Sequence, residues 1–263
     1  MRKKPKLVVN HLSYCYKRAN KQPLQVIDNI SLKIFNNEVV SLIGPSGCGK
    51  TTIFNIVSGI LNEDKGKIEI NGLKEKSRRG KCGYMFQEPL LFRWRSVLEN
   101  VMLGYEIKEM LKQQAKNKAL NLLKEFGLFE YANLYSNTLS GGMKQKVALL
   151  RTIAFNSSLL LLDEPFGPLD AITRSELHLY LLGIWKKLKL TIILTTHDIR
   201  EAIFLSDRVY VLSKKPARII DCLKITLPRP RKLEDLTSEK FVSLEKRLMS
   251  LLKQSHNKKD ISH

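Results

Sequence analysis

The chain has 263 residues, of which 43% are hydrophobic, and a formal net charge of +20 from 45 Lys and Arg against 25 Asp and Glu. This length suits one large domain with an extensive core, and no apolar run approaches the ~18 residues of a membrane-spanning helix. The four cysteines are widely spaced and form no C-x-x-C pair, so we expect reduced thiols and neither a zinc site nor a disulfide framework.

Three interpretations of the positive charge are open: a diffuse solvated surface, attraction to anionic lipid headgroups, and specific binding of nucleic acid. The basic runs, at residues 74–81, 186–189 and 229–232, are short and lack interleaved aromatic residues, which favours the diffuse surface. The first residues are basic too, but only residues 7–9 follow in place of the apolar segment of a signal peptide. We therefore expect an unprocessed, cytosolic chain.

In chain order, strands dominate the first third of the prediction and helices dominate the middle. Strands are predicted at residues 7–10, 31–35, 39–43 and 67–70, with Asn71-Gly72 as a hairpin turn and one helix at 51–61. Residues 89–156 have a helical pattern, in which an i, i+4 stripe over 108–126 predicts a core-facing helix. The stripe consists of Leu111, Ala115, Ala119, Leu122, Leu123 and Phe126.

The last hundred residues return to alternating strands and helices. Strands at 159–163, 191–195 and 208–212 alternate with helices at 171–188 and 198–205, and Pro228 and Pro230 precede a last helix at 241–252. This alternation is typical of a largely parallel sheet covered by helices, so the predicted fold class is α/β.

Residues 44–51 read GPSGCGKT, a complete phosphate-binding loop between a predicted strand and a predicted helix. Its glycines allow backbone N–H groups to surround an anion, and the helix N-terminus adds its positive dipole end. Lys50 is suited to the terminal phosphates and the Thr51 hydroxyl to Mg²⁺. The chain is therefore predicted to bind a nucleoside triphosphate through Gly44, Pro45, Ser46, Gly47, Cys48, Gly49, Lys50, Thr51 and Thr52.

Cys48 has two interpretations. It is either a small residue that the loop tolerates, or a thiol whose pKa the adjacent helix N-terminus lowers. In both cases we expect alkylation of Cys48 to block nucleotide binding, and bound ATP to protect the thiol.

Two carboxylates follow the apolar strand at 159–163. At the carboxyl edge of a parallel sheet, Asp163 suits a water-mediated contact with Mg²⁺ and Glu164 suits a base that orients the attacking water. Acidic residues also follow strands for solubility alone, but the phosphate-binding loop upstream favours the catalytic interpretation.

Five further segments resemble the ATP-binding subunits of ABC transporters, in the order of that family. Residues 139–143 read LSGGM, like the signature motif, and are followed by KQKV at 144–147 and by Arg151. Residues 86–89 read FQEP and resemble the Q-loop, residues 166–170 read FGPLD and resemble the D-loop, and His197 after LTT resembles the switch histidine. Tyr16 is the best match to the aromatic residue that stacks on adenine.

The resemblance covers essentially the whole chain and implies its fold and division. It implies a P-loop NTPase core of the ABC ATPase type, with an N-terminal antiparallel β subdomain and an inserted α-helical subdomain. The implied nucleotide-binding core spans 1–88 and 157–226, the helical subdomain with the signature spans 89–156, and a short tail with a helix spans 227–263.

The resemblance also assigns roles. Glu164, His197 and Gln87 are the implied catalytic residues, and Thr51, Gln87 and Asp163 the implied Mg²⁺ ligands. Tyr16, Asp170 and the loop residues would bind ATP. Ser140, Gly141 and Gly142 begin a helix and would bind the ATP of a partner subunit, so that two ATP molecules lie between two subunits.

Two assignments are less direct. Tyr14 lies on the same strand face as Tyr16, so three interpretations are open. The adenine stacks on Tyr16, which we favour, or on Tyr14, or both tyrosines are core residues without a role in adenine binding. Met143 stands where the family usually has Gln, and its thioether cannot reproduce an amide's hydrogen bonds. We therefore expect no direct contact of the Met143 side chain with nucleotide.

The LSGGM form of the signature is similar to importers of the nitrate, sulfonate and taurine type and their thiamine-precursor relatives. Residues 92–100, 166–174 and the tail sequence LPRPR at 227–231 point the same way. The implied partners are a second ATPase subunit, expected as a homodimer, transmembrane permease subunits and, indirectly, an extracytoplasmic solute-binding protein. The implied location is the cytoplasmic side of the cell membrane, without a specific nucleic acid.

Two other functions compete with this one. A soluble ABC ATPase acting on nucleic acid or ribosomes would use the positive charge, and one of iron–sulfur cluster assembly would share the nucleotide motifs. An apolar cluster of Leu90, Leu91, Phe92 and Trp94 bears on the choice. It either packs inside the helical subdomain or lines a groove for a permease helix.

Overall fold

A computed structural model describes residues 4–19, 21–74, 77–167 and 169–257, in two compact units. Unit 1 comprises Met1–Lys81 and Thr191–His263, and unit 2 comprises Cys82–Leu190. The predicted boundaries at residues 88, 156 and 226 stay a prediction. The elements in chain order are β1 (Pro5–Arg18), β2 (Lys21–Phe35), β3 (Val39–Ile43), α1 (Lys50–Val57), β4 (Lys65–Ile70), β5 (Gly83–Met85), α2 (Val97–Glu106), α3 (Lys112–Glu125), α4 (Gly141–Ala154), β6 (Leu159–Asp163), α5 (Ala171–Leu188), β7 (Thr191–Thr196), α6 (Ile199–Leu205), β8 (Arg208–Leu212), β9 (Ile219–Lys224) and α7 (Glu239–Asn257).

Some predictions fall partly outside the described residues. These are the basic start of the chain at residues 1–3, positions 75 and 76 of the basic run, Pro168 of the FGPLD segment, and the end of the tail from residue 258.

Unit 1 contains a three-stranded antiparallel sheet with the order β2-β1-β4. Strands β1 and β2 are much longer than predicted, because bulges interrupt their side-chain alternation. The register shifts between Val9 and Leu12, where His11 and Asn29 both have positive φ (51° and 54°). An extra residue at a bulge moves the following side chains to the opposite face, so a search for period-2 alternation stops there.

The other sheet strands of unit 1 lie in the order β7-β3-β8-β9. Strand β3 is parallel to β7 and β8, whereas β9, which the sequence did not predict, is antiparallel to β8. The register pairs Ile43 with both Thr196 and Val211. The residues that follow these three strands therefore emerge at one edge of the sheet.

Two local predictions in unit 1 have different outcomes. The Asn71-Gly72 turn is confirmed: both residues have positive φ (57° and 77°), and Ile70 and Leu73 exchange backbone hydrogen bonds across it. The first helix ends at Val57 rather than at residue 61, because Gly59 turns the chain with φ +82°.

In unit 2, β5 pairs in parallel with β6, and α2, α3, α4 and α5 pack against one another. The predicted helix at 108–126 is wrong at its start, because Glu109 (φ 57°) separates α2 from α3. Leu111 is accordingly 70% exposed, whereas Ala115, Ala119, Leu122 and Leu123 are buried as predicted.

The predicted fold class is confirmed: an α/β chain with an N-terminal antiparallel sheet, and with helices α2 to α4 inserted between β5 and β6. Helix α7 extends the predicted last helix at both ends. No described helix has the length and apolar character needed to cross a membrane.

Candidate functional site

The phosphate-binding loop connects β3 to α1 in unit 1, as predicted. Gly47 and Gly49 have φ of +69° and +124°, conformations that turn the backbone N–H groups of the loop toward a common centre. Helix α1 begins after Gly49, which has no side chain to cap it, so the N–H groups of its first turn face the loop. This arrangement is suited to binding a phosphate group.

Lys50 extends back over this loop. Its Nζ donates to the carbonyl oxygens of Gly44 (3.0 Å) and Pro45 (3.3 Å), and the residue is only 5% exposed. An ammonium group in this position is within reach of the terminal phosphates of a nucleotide whose chain lies in the loop.

Tyr16 lies beside the same loop. Its hydroxyl is 3.3 Å from Oγ1 of Thr52, and its ring meets that of Tyr14 edge-on at 5.0 Å. Tyr16 is 36% exposed and Tyr14 is only half-buried, so the interpretation of either as a core residue is wrong. The contact with Thr52 favours Tyr16 for the adenine role, which stays a prediction.

His197 directly follows β7, beside the start of the loop. Because Ile43 pairs with Thr196, Gly44 and His197 emerge from neighbouring parallel strands. The backbone around His197 is fixed on its C-terminal side: Asp198 donates its N–H to Thr196 Oγ1 (3.0 Å) and caps α6 through Oδ1, which accepts from Arg200 and Glu201. The His197 side chain itself is exposed.

In unit 2, the two carboxylates stand at the end of the buried strand β6. Asp163 is 5% exposed, and the Tyr84 hydroxyl lies 3.5 Å from its Oδ2. Burial, and then the charge of Asp163, raise the pKa of Tyr84. Glu164 has φ +43°, a sparsely populated conformation for a residue other than glycine, of the kind that clusters at functional sites.

Gln87 and Glu164 are brought together, as their implied catalytic roles require. Nε2 of Gln87 donates to Oε2 of Glu164 at 3.4 Å, although 77 positions separate the residues in the sequence. An amide beside a carboxylate is suited to orienting a water molecule. The described residues contain no cluster of three or more His, Cys, Asp or Glu suited to a metal ion.

The signature residues begin α4, as predicted. Ser140 caps the helix, since its Oγ accepts from the backbone N–H of Met143 at 3.3 Å. Gly142 is required by packing, because a Cβ there would lie 2.6 Å from Cγ2 of Thr173 in α5. The N-terminal end of α4 is exposed, with Ser140 as its cap and Gly142 in its first turn. A phosphate group can therefore approach it.

Asp170 caps the next helix, α5. Its Oδ1 accepts from the backbone N–H groups of Ile172 (3.1 Å) and Thr173 (3.0 Å). Hydrogen bonds from Thr173, first of all, hold the pKa of Asp170 below its usual value. Its predicted contact with ATP stays a prediction.

The sequence did not reveal that α4 holds the Q-loop. Arg151 donates to the carbonyl oxygens of Pro89 (2.6 Å) and Leu90 (2.7 Å), and Gln145 Nε2 lies 3.5 Å from the carbonyl oxygen of Gln87. Burial lowers the pKa of Arg151. The available signal was the presence of polar residues on the buried face of an otherwise apolar helix.

The segment after the Q-loop lines an open apolar groove of about 300 Å³, which we call the unit 2 groove; Phe86, Leu90, Phe92, Ile107 and Phe155 line it. Leu90 is 52% exposed, and Trp94 is 73% exposed and stacks on Phe92 with ring centres 4.9 Å apart. Internal packing, the first interpretation of this cluster, is therefore wrong for these two residues.

The basic runs are not simply a solvated surface. Arg78 is 7% exposed, pairs with Glu63 and donates through Nε to the carbonyl oxygen of Ile56 at the end of α1. Arg231 is 4% exposed. Part of the positive charge is thus buried within the fold rather than displayed to solvent.

The thiol of Cys48 differs from the expectation of a lowered pKa. Cys48 is 2% exposed, and burial raises the pKa of its thiol, an effect that the charge of Lys50 opposes only in part. The helix N-terminus does not compensate for the loss of solvation.

Cys48 is therefore expected to react with N-ethylmaleimide at neutral pH more slowly than the half-buried Cys15, because only the exposed thiolate is nucleophilic. Mass spectrometry of samples quenched at increasing times measures both rates in one protein. Faster modification of Cys48 than of Cys15 would contradict this order.

Several known proteins are similar to this chain in sequence. The sequence matches the family described as ABC transporter over residues 27–167. It is 40% identical over 226 residues to the aliphatic sulfonates import ATP-binding protein of Bacillus cereus, covering 86% of this chain and 88% of that protein. It is 37% identical over 250 residues to the formylaminopyrimidine import ATP-binding protein of Halalkalibacterium halodurans, covering 94% and 96%.

A solved structure is similar as well. The dimeric post-hydrolysis state of an ATP-binding cassette bound to ADP and Pi has a TM-score of 0.73 and 29% sequence identity, covering 84% of this chain and 100% of that one.

Proposed function

The chain belongs to the ABC transporter family, and from this premise we propose that it is the ATP-hydrolysing subunit of an importer for a small solute. The family match covers more than half of the chain, and the two relatives named above are import ATP-binding proteins. ATP binding and hydrolysis are common to the ABC ATPases. The importer role and its solute class, which includes sulfonates, nitrate, taurine and thiamine precursors, are the proposal.

One observation carries the proposal beyond ATP hydrolysis: residues 87–92 run without interruption from the Gln87–Glu164 contact into the unit 2 groove, which Leu90 and Phe92 line. A segment with a catalytic contact at one end and exposed apolar side chains at the other is suited to couple hydrolysis to a bound partner.

In the proposed mechanism, ATP binds with its phosphates in the loop at residues 44–52 and its adenine against Tyr16. Lys50 leaves the loop carbonyls for the terminal phosphates. Glu164, positioned by Gln87, polarises the attacking water, and His197 holds the γ-phosphate. Asp170, at the start of α5, would contact ATP at the edge of the site.

The donor chemistry around the site fits Mg²⁺, which prefers oxygen ligands and few protein ligands when phosphates are present. Thr51 and Gln87 would provide a hydroxyl and an amide oxygen, and Asp163 a carboxylate through water. When bound, Mg²⁺ neutralises charge on the β- and γ-phosphates.

We propose a dimer in which the signature end of α4 binds the ATP of the other subunit. The N-terminus of α4, capped by Ser140 and exposed, supports this role, because the N-terminal end of a helix is suited to a phosphate group. A homodimer is the simplest form. Closure on two ATP molecules and reopening after hydrolysis would drive the transport cycle.

The partner for the unit 2 groove would be an amphipathic helix of a transmembrane permease, which binds with its apolar side in the groove. Exposed aromatic residues such as Trp94 are typical anchors of such interfaces. The chain would then lie at the cytoplasmic side of the membrane as a peripheral subunit. A solute-binding protein outside the membrane would deliver the solute to the permease.

Trp94→Ala is expected to weaken permease binding by about 10-fold or more, since truncation of a central interface tryptophan typically costs 2 kcal/mol or more. The measurement is the amount of permease retained by the immobilised chain in detergent. Trp94 does not line the groove itself but stacks on Phe92, which does. Phe129→Ala, which truncates an aromatic residue that is 51% exposed and does not line the groove, is the control. Equal retention of permease by both variants would contradict a role of Trp94 in permease binding.

The decisive test of the proposed function is mass spectrometry of what co-purifies with the Glu164→Gln chain from gently solubilised membranes with ATP present. A multi-span permease with its solute-binding protein is expected, and would also identify the solute class. Ribosomes, nucleic acid or only soluble partners would overturn the importer role.

A further inference from the structure

The tail sequence LPRPR places two arginines at the end of α6. Arg231 is 4% exposed, and its guanidinium donates to the carbonyl oxygens of Ile203 (2.7 Å), Phe204 (2.5 Å) and Ser206 (2.5 Å). Arg229 donates to the carbonyl oxygen of Leu205 at 2.7 Å. We call this pair of residues the arginine clamp.

The arginine clamp occupies the groups that a helix end leaves without partners. The last carbonyls of a helix have no intrahelical donor, and a cation is favourable beside them because of the helix dipole. The planar guanidinium presents five N–H donors in a fixed fork, whereas the ammonium of a lysine is a compact charge without that geometry. The arginine clamp therefore fixes both the position and the direction of the C-terminal end of α6.

The segment between α6 and β8 is fixed to β3 as well. Asp207 accepts from Arg229 Nε (2.9 Å) through Oδ1 and from the N–H of Val39 (2.9 Å) through Oδ2. The hydroxyls of Ser206 and Ser41 lie 2.5 Å apart. The arginine clamp thus locks α6 onto the strand that leads into the phosphate-binding loop.

The other end of α6 is the backbone that carries His197. Helix α6 has seven residues and is thus about 10 Å long at ~1.5 Å per residue. Asp198 caps its first turn directly after His197. A helix this short moves as one rigid piece, so a change at its C-terminal end shifts His197 relative to the loop.

The arginine clamp is an expensive way to gain stability alone. Nε of Arg231 is buried without a hydrogen-bond partner, and an unsatisfied buried donor costs about 1–3 kcal/mol. Burial also lowers the pKa of Arg231 to about 9. Apolar residues of similar volume often replace buried charges without loss of stability, so stability alone does not account for the arginine clamp.

We propose that Arg231, supported by Arg229, is a positioning residue that sets His197 at the distance from the phosphate-binding loop that ATP hydrolysis requires. This inference rests on the proposed role of His197. It assigns the LPRPR tail to the catalytic cycle, although the tail does not touch nucleotide.

The test compares Arg231→Met, Arg231→Lys and the control Arg208→Met in the full chain, well below the melting temperature of each. Arg208 is on the same unit and also makes several bonds, to Glu38 and the carbonyl oxygen of Lys33, but at the opposite end of β3 from the loop. Steady-state phosphate release gives kcat, fluorescent-nucleotide titration gives the Kd of ATP, and thermal unfolding gives Tm.

Arg231→Met is expected to lower kcat by about 10- to 100-fold, with the Kd of ATP changed by less than about threefold, because small displacements of a positioned group have effects of this size. Arg231→Lys should recover part of the loss. Arg208→Met should lower Tm and keep kcat. In a His197→Ala chain, Arg231→Met should have no further effect on kcat, since both changes remove the same interaction.

Unchanged kcat in Arg231→Met beside an impaired His197→Ala would overturn this inference and leave the proposed function intact. Equal losses of kcat in Arg231→Met and Arg208→Met would overturn it too, since that result indicates a general loss of structure. Full activity of His197→Ala would instead remove the role proposed for His197 itself.

Discussion

Glu164→Gln is expected to lower ATP turnover by about 10²- to 10⁴-fold and to leave ATP binding intact. This loss corresponds to about 3 to 5 kcal/mol in the activation free energy. Glutamine keeps the size of the side chain and an oxygen that accepts from Gln87 Nε2, which lies 3.4 Å from Oε2 of Glu164. The change therefore removes the charge that polarises water and little else.

Phosphate release at saturating ATP measures turnover, and fluorescent-nucleotide titration measures binding in the same samples. Glu176→Gln, which makes the same change at an exposed position of α5, is the matched control and should keep full activity. Normal hydrolysis by the Glu164→Gln chain would contradict the assignment. A loss of affinity as large as the loss of turnover would move Glu164 from catalysis to binding.

Gly49→Ala is expected to abolish ATP binding and to lower the free energy of unfolding by more than a typical Gly→Ala change in a turn. Gly49 has φ +124°, outside the left-handed helical region that other residues tolerate, and such strain costs on the order of 1–3 kcal/mol. A Cβ would also lie 2.9 Å from Cγ1 of Val26, so the loop or β2 must shift.

The control is Gly72→Ala, in the hairpin turn, where φ is +77° and a Cβ would meet nothing within 4 Å. This change should cost about 1–2 kcal/mol and keep ATP binding. Urea unfolding and nucleotide titration measure the two effects. Adding Val26→Ala to Gly49→Ala should restore part of the stability; equal losses for Gly49→Ala and Gly72→Ala would refute the steric argument.

The site could be predicted from the sequence wherever its chemistry is local. A phosphate-binding loop needs glycines, a lysine and a hydroxyl at fixed spacing, because one strand, one turn and one helix end form the whole cradle. The caps by Ser140 and Asp198 are likewise local, since a helix N-terminus takes its partner from within three residues. Strands β3, β6 and β8 match their predictions because they are short and mostly apolar.

Predictions failed where a neighbour distant in the chain decides the outcome. The helix dipole beside Cys48 is visible in the sequence, but the packing that excludes water from the thiol is not, and burial is the larger effect. The predicted strands are shorter than β1 and β2, because each bulge moves the following side chains to the opposite face of the sheet. Leu111 fits an i, i+4 stripe, yet it precedes its helix and is exposed.

The sequence by itself determined the α/β class, the nucleotide loop, the pair of carboxylates and the order of motifs, because each depends on residues a few positions apart. Only the tertiary structure decided which polar side chains support them: Gln87 on Glu164, Arg151 on the Q-loop carbonyls, and Arg231 on the end of α6. These partners lie 77, 62 and 28 positions apart. Their bonds exist because folding brings together segments that are distant in the chain, and no periodicity in the sequence records which segments those are.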